Sequence, residues 1–580
     1  MKEKYLELMK IAIDSYSYEY IEQLYKENLE NGIKEHGISR IASVLGILIS
    51  KGMKQEYYSL WMKLMDMCCN QLHMIKDGND FAVREIMSCI IETKGLVSTE
   101  KTDEWLSLIK KINYKENYGV YAKSVDDMAH NIAVYNMAGE YLRQIYGMCD
   151  TEDYFNIQIP CQLKMFDKNG MYMDPGCPML YDLATRVQFS LLLFYGYNGK
   201  YRKQLDDNLR KGAMMSLMMQ SACYEIPYGG RSNQMVFNEA YQCACFEYEA
   251  ARYKKEGELE LAGQFKQAAR LSYESMLGMI LKKPAKHVKN GFSWNSLFGC
   301  EWYAYYDKYM ITMGSFAYLA YIFCDETVEE KTCPAQKGGY VVNTSDAFHR
   351  TFANACGYSI QIDTKADKGY DATGLGRIHK IGVPSETVLS CPFPKTPKYL
   401  IQDVLMTKMP DRSEISRFEK ENPGFLSITP VLFSKEGWCI RLCDFYENIE
   451  SEMDVFKQQE NSVEFEVTYK SECFTGFTYI KERYTLDEEG VHVCFSCDTD
   501  KTYALGYEVP VIKTDGESVS ETSFTDNRII CRYKNHEYVT ETEGCDIKTD
   551  GEYANRNGIY EKAVISRKDN KPLYICFKIN

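Results

Sequence analysis

The stretch Asp325–Lys337, DETVEEKTCPAQK, divides two textures of sequence, and its reading decides the fold. It is acidic, carries Pro334, and has neither a helical nor a strand period, so it reads as a linker. Just before it, Tyr306, Met310, Met313, Ala317 and Ala320 recur on one helical face. Beyond it the period falls to two: Tyr358, Ile360 and Ile362 alternate with Ser359, Gln361 and Asp363, and the same pattern returns at Val463–Tyr469 and Val491–Cys497. The chain is therefore expected to be multi-domain, α then β: helices over 1–325, a linker over 326–337, and a large antiparallel β-sandwich over 338–580.

Working back from the linker, segments of helical length are expected at 2–29, 38–51, 54–75, 81–94, 101–113, 127–147, 151–167, 180–196, 200–220, 236–256, 258–281 and 300–324. The breaks between them differ in kind. Tyr197–Lys200 and Lys255–Glu258 are tight and polar, whereas Asp167–Asp182, Cys223–Ala240 and Lys282–Cys300 are long and rich in Gly, Pro, Asn and aromatic residues. Alternation of tight and rich breaks is what helical hairpins circling an axis would give, as an (α/α) toroid with one functional end.

The 580 residues are 45% hydrophobic and 26% charged, ordinary for a folded globular protein, and exceed what one core supports. A net charge of −14 without a basic patch argues against nucleic acid and against a membrane surface as partners. The N-terminus lacks the apolar core of a signal peptide, and the best candidate for a span, Val187–Tyr195, is too short to cross a bilayer. The 22 cysteines form no paired CxxC sets, so they read as reduced, buried thiols in a cytoplasmic protein. No metal site or cofactor motif is expected, since the 8 histidines include no HxxxH pair and no P-loop occurs. Sequence leaves assembly into a homo-oligomer open.

The richest break, CYEIPYGGRSNQMVFNEA over 223–240, supplies most of the candidate site. Glu225 and Glu239 bracket a kink at Pro227 and Gly229-Gly230, and two carboxyl groups flanking a bond are what glycoside hydrolysis needs. The plainer reading of Glu239 is a first-turn acid at a helix N-terminus. Arg231 after two glycines can grip a carboxylate, with Asn233, Gln234 and Asn238 as neutral donors for hydroxyls and Tyr228 beside them. Asp174 in MYMDPGCP is a further catalytic candidate, because a carboxyl group in a Tyr- and Met-rich loop is open to desolvation. Asp182 and Arg186 read as an i,i+4 ion pair. His287 lies in the third rich break, and Tyr303 and Tyr305 follow at a helix start. Asn131 shares a helix with His130, which reads as a packed residue. From the sheet half, Arg377 and His379 can reach across the interface.

Helical hairpins followed by an antiparallel sandwich resemble the heparinase II/III and alginate-lyase type of polysaccharide lyase. They also resemble toroid glycoside hydrolases such as the family 154 β-glucuronidases. Such lyases carry an Asn-His pair at a helix start, a later Tyr, and His or Arg from the sandwich. The resemblance implies Asn238-Glu239, the Tyr303 to Tyr306 group, and Arg377 with His379 as the corresponding positions. Glu239 where a lyase carries His favours hydrolysis over β-elimination. The expected function is an exo-acting glycoside hydrolase on uronate-containing oligosaccharides, using Glu239, Glu225 and Asp174 with Tyr303 and His287. A lyase acting through Tyr and His is the alternative, and a non-catalytic glycan-binding helical repeat the third reading.

Overall fold

The computed structural model describes residues 1–387, 389–405, 416–499, 503–567, 569 and 571–580. The helical half comprises α1 (Lys2–Asp14), α2 (Tyr18–Asn31), α3 (Gly37–Ser50), α4 (Tyr58–Gln71), α5 (Ala82–Glu92), α6 (Thr99–Ile109), α7 (Tyr114–Asn117), α8 (Asn131–Ile145), α9 (Glu152–Leu163), α10 (Met179–Phe194), α11 (Arg202–Met219), α12 (Phe237–Glu256), α13 (Leu259–Ile280) and α14 (Tyr306–Phe323). A single turn, α15 (Pro334–Lys337), closes the linker. The expected helix over 2–29 is two, because the Ser17 side chain accepts the Tyr20 N–H and caps a new start. The last expected helix begins at Tyr306, so Cys300–Tyr305 is loop.

Helix packing follows burial. Along α3 everything from Ile38 to Ile49 is buried, whereas α2 buries only Ile21 and α6 only Trp105 and Ile109. The mostly buried helices α3, α5, α8, α10, α12 and α14 pack each against the next, and α14 returns to α3, closing an inner ring. The helices α4, α9, α11 and α13 lie outside it, each on the inner helix before it, and α1 covers α14 and α3. The tight connections run from inner to outer helix. The long ones lead into α5, α8, α10, α12 and α14, so the chemically rich loops collect at those inner N-termini.

Among the described residues the sheet half has 17 strands, all paired antiparallel. A four-stranded sheet, β1 (Tyr340–Asn343), β2 (Arg350–Ala355), β3 (Tyr358–Asp363) and β4 (Gly374–Lys380), runs in chain order. The remaining strands are β5 (Thr429–Ser434), β6 (Cys439–Arg441), β7 (Glu450–Gln459), β8 (Ser462–Lys470), β9 (Ile480–Leu486), β10 (Val491–Cys497), β11 (Tyr503–Thr514), β12 (Glu521–Phe524), β13 (Arg528–Tyr533), β14 (His536–Thr542), β15 (Asp546–Ala554), β16 (Ile559–Ser566) and β17 (Leu573–Ile579). They form an eight-stranded sheet ordered β12-β13-β14-β17-β10-β9-β8-β7 and a five-stranded one ordered β15-β16-β11-β5-β6. Phe465, Tyr484 and Phe495 from the first meet Tyr507, Val509 and Ile565 from the second in one apolar core.

The four-stranded sheet joins the halves. Ile360, Ile362, Leu375 and Ile378 face the sheet core, while Ser359, Gln361, Arg377 and His379 hydrogen-bond to the helical half. Leu375 and Ile378 both reach the core because the register slips between Gln361 and Ile362, opposite Gly376. A side chain at Gly376 has no room, since a Cβ there would lie 2.2 Å from the Tyr228 hydroxyl. No helix among the described residues is long and apolar enough to cross a membrane, and none of the 22 cysteines is in a disulfide.

Candidate functional site

The loop from Ser221 to Val236 lies where the halves meet, and most of its polar groups are spent there. The Ala222 N–H donates to Ser359 Oγ (2.7 Å) and the Ser221 hydroxyl pairs with His379 Nδ1 (2.9 Å). Arg377 donates to the Ile226 carbonyl (2.7 Å), and Gln361 brackets Tyr228 by accepting from its N–H and donating to its carbonyl. Gly229 has φ +143°, and a Cβ there would meet the Arg350 guanidinium at 2.4 Å. Arg350 in turn holds Asp371 (2.9 Å), which accepts the Gly230 N–H. Further on, Asn233 donates to the Pro227 carbonyl, Gln234 to Asn233, and Asn238 to the Ser232 carbonyl, all buried. These side chains fix the loop's own path and are not free for sugar hydroxyls.

Glu225 and Glu239 do come together, through a residue that the sequence reading passed over. Lys289 Nζ lies 3.1 Å from Glu225 and 2.7 Å from Glu239, and all three are buried. Burial alone would raise Glu225, but Lys289, His379 and Arg377 outweigh it and bring its carboxyl down to about 2. Burial, with repulsion from Glu225, moves Glu239 upward against the pull of Lys289. The arrangement is an internal ion cluster joining the loop, α12 and the Lys282–Cys300 connection. His287 is likewise buried, 3.3 Å from the Cys300 thiol, and desolvation depresses its imidazole to about 3, so it is neutral.

A cavity of about 320 Å³ occupies the end of the ring where the inner helices begin. His36 precedes α3 and Arg40 lies on it, His130 precedes α8 and Asn131 and Tyr135 lie on it, and Leu180 and Tyr181 come from α10. Phe81 just before α5, Ile132 of α8, Phe237 and Tyr241 of α12 and Lys308, Tyr309, Thr312 and Phe316 of α14 complete it, with Arg231 and Tyr303 from the loops before α12 and α14. Residues nearest the helix starts form the rim, and those a turn or more further in, Arg40, Tyr135, Tyr241, Thr312 and Phe316, form the floor. Glu239 is two residues from both Phe237 and Tyr241, on the other side of α12. No Asp or Glu is among the described residues lining the cavity, while His36, Arg40, His130, Arg231 and Lys308 are. Six helix N-termini add their positive ends.

Two anchored features face this space. Arg231 is paired with the buried Asp174, donates to the Pro175 carbonyl (2.5 Å), and stacks over Tyr181 at 4.7 Å, leaving its side chain 30% exposed. Asp174 also accepts the Asn131 N–H (2.9 Å), so it ties Arg231 to the start of α8, and burial raises its carboxyl. The second feature is a hydroxyl cluster: Ser232 Oγ lies 2.9 Å from the Tyr181, 3.2 Å from the Tyr303 and 3.0 Å from the Tyr309 hydroxyl. Ser232 is fixed in turn by Glu301, which accepts its N–H (2.6 Å) and is gripped by both arms of Arg556 from the sheet half. Burial raises the Tyr303 phenol, with Glu301 adding to it, so it is protonated at neutral pH.

Of the expected site residues, then, Arg231, Asn131 and Tyr303 line the cavity, with Asp174 directly behind Arg231. Tyr305 points elsewhere, to Glu35 (2.8 Å). Glu225, Glu239, His287, Tyr228, Asn233, Gln234, Asn238, Arg377 and His379 lie in the buried joint and line no part of this cavity. The helix start that sets Asn beside His at the cavity is His130–Asn131, not Asn238–Glu239. Tyr181, Tyr309, His36, Arg40 and Lys308 were not singled out. Their only signal is position at the starts of inner helices. The expected pair Asp182–Arg186 is present, buried and bidentate.

No protein-family model matches the sequence, and a search of curated proteins finds no match. Among solved structures, heparinase III aligns over 99% of this chain and 91% of its own, at 11% identity and a TM-score of 0.37. The 4-alpha-glucanotransferase from Thermococcus litoralis aligns over 70% of this chain and 56% of its own, at 9% identity and a TM-score of 0.30. Likenesses this loose bear on neither substrate nor mechanism.

Proposed function

We propose that the chain is a carbohydrate-active enzyme that cleaves uronate-containing oligosaccharides by β-elimination in the central cavity. The observation that carries this reading is the cavity's chemistry: phenol, imidazole, guanidinium and ammonium groups line it, and among the described residues no carboxylate does. Elimination requires a uronate carboxylate to be neutralised, so that the proton on the adjacent ring carbon becomes acidic. A base must then take that proton, and an acid must protonate the departing glycosidic oxygen.

Arg231, held by Asp174 and Tyr181, is the group for the carboxylate. His130 sits at the start of α8 beside Asn131, whose N–H is held by the same Asp174. Its imidazole is assigned the proton abstraction. Tyr303, kept protonated by burial, is suited to donate to the leaving oxygen, with Ser232 orienting its hydroxyl. The cavity volume is at the low end for small-molecule sites, which favours the end of an oligosaccharide over the middle of a long chain.

Hydrolysis by Glu225 and Glu239 is the weaker reading, because Lys289 occupies both carboxylates and neither borders the cavity. The test is a panel of glucuronide and galacturonide oligosaccharides followed by ultraviolet absorbance. Elimination leaves an unsaturated uronate that absorbs, whereas a saturated product with water added across the bond would replace this proposal with a hydrolase.

A further inference from the structure

The cationic groups of the cavity fall into two sets with different charge balance. Arg231 is matched by one buried carboxylate, Asp174. On the α3 and α14 side the balance fails. Arg40 and Arg84, 4% and 0% exposed, share the single carboxylate of Glu85, whose Oε1 accepts from Arg40 Nε (3.2 Å), Arg84 (2.7 Å) and Ser315 Oγ (2.6 Å). Among the described residues, Arg84 Nε and Nη1 have no hydrogen-bond partner. Two buried guanidinium groups against one carboxylate leave positive charge in excess where Arg40 lines the cavity and Arg84 lies buried behind it, which is costly unless an anion completes it.

The geometry at this wall is set for a ligand. Arg40 is held between the Phe81 and Phe316 rings, at 5.5 and 5.4 Å, and donates to Thr312 Oγ1 (2.5 Å). Lys308 stands above it with its ammonium 3.6 Å from Glu35, a carboxylate 54% exposed and therefore screened by water. His36, at the start of α3, packs its ring on Phe81 at 4.6 Å. Burial and the charges of Arg40 and Lys308 together disfavour protonation of His36, and burial with Arg40 pulls Lys308 down despite Glu35. The two cations, Arg40 and Lys308, repel one another across this wall.

We infer that Arg40, Lys308 and His36 form a second anion subsite, so that the substrate carries a further anionic group, a sulfate ester or a second carboxylate, beside the uronate held by Arg231. The inference rests on the lyase reading for the identity of the substrate, but the subsite itself does not. Arg40 and Lys308 are here binding residues, and the mutual repulsion is relieved when the anion arrives.

Inorganic sulfate at constant ionic strength is the probe for the subsite, titrated into the full-length protein and read as a thermal shift. The expected result is stabilisation of the wild type and of Arg231→Gln, and its loss in Lys308→Gln, a half-buried position that tolerates the change. Turnover of uronate-terminated disaccharides then separates the two anion sources: a neutral, a sulfated and a carboxylated second sugar. A charged second sugar is expected to raise kcat/KM by about tenfold over the neutral one, a ratio that falls to near unity in Lys308→Gln. Equal rates on all three sugars with no sulfate effect would overturn the subsite and leave the lyase reading standing. Sulfate stabilisation through Lys308 with no unsaturated product from any sugar would keep the subsite and overturn the lyase reading.

Discussion

Replacing Lys289 with Met removes the ammonium that Glu225 and Glu239 share and keeps the apolar stem. In the wild type the ammonium is buried at 3.1 and 2.7 Å from the two carboxylates. Breaking a buried pair leaves uncompensated charge and costs about 3–5 kcal/mol. Here two carboxylates lose the partner, which pushes toward the upper end. Arg377, 3.9 Å from Glu225, and the Ile226 N–H, 3.2 Å from Glu239, retain part of the compensation.

The pH dependence follows from the signs. Glu225 in the folded protein titrates at about 2, below its ordinary 4.5, so its contribution is present above 4.5 and is lost as pH falls toward 2. Glu239 is raised, so its ionised form already costs stability near neutrality, and acid relieves that cost. Without Lys289 the dominant effect on both groups is burial, and both become groups that acid relieves. The deficit of Lys289→Met is therefore expected to be largest at neutral pH and to shrink near pH ~5. Denaturant midpoints of the helical circular dichroism signal, compared at the two pH values, measure it. A deficit under about 1 kcal/mol, or one that does not change with pH, would refute the account of this cluster.

Three further outcomes follow from the same geometry. Glu239→Gln is expected to keep turnover within a few-fold, because Glu239 touches Lys289 and Ile226 and not the cavity; loss of activity in a folded variant would return the carboxylate to catalysis. Asp174→Asn removes the charge that fixes Arg231, and a rise in KM larger than the fall in kcat, measured by steady-state kinetics, is the expected signature. Gly376→Ala drives a Cβ to 2.2 Å from the buried Tyr228 hydroxyl, and a loss of about 1–3 kcal/mol in the same unfolding assay is expected.

The architecture was legible because it is written in local periods. Helical spacing before Asp325, alternation after it, and the contrast between breaks such as Tyr197–Lys200 and Asp167–Asp182 each report on a few neighbouring residues. The cavity was not legible in that way. His36 and Tyr309 become neighbours only when α14 closes against α3, and each inner helix contributes only a few residues to the lining, so no string of sequence carries the site. The loop 223–240 drew attention because polar residues around Gly-Gly are typical of ligand loops. Here the same chemistry satisfies buried backbone at the joint: Asn233 on Pro227, Asn238 on Ser232, Arg377 on Ile226. Of that stretch, Arg231 and Phe237 reach the cavity wall.

The central claim is that bond cleavage belongs to the cavity and proceeds by elimination. It is tested most directly by following ultraviolet absorbance of unsaturated uronate from one oligosaccharide with the wild type, Tyr303→Phe and Glu239→Gln side by side. The account predicts absorbing product from the wild type and Glu239→Gln, and a loss on the order of 10²-fold or more in Tyr303→Phe. A saturated product, with Glu239→Gln inactive and Tyr303→Phe active, would contradict it.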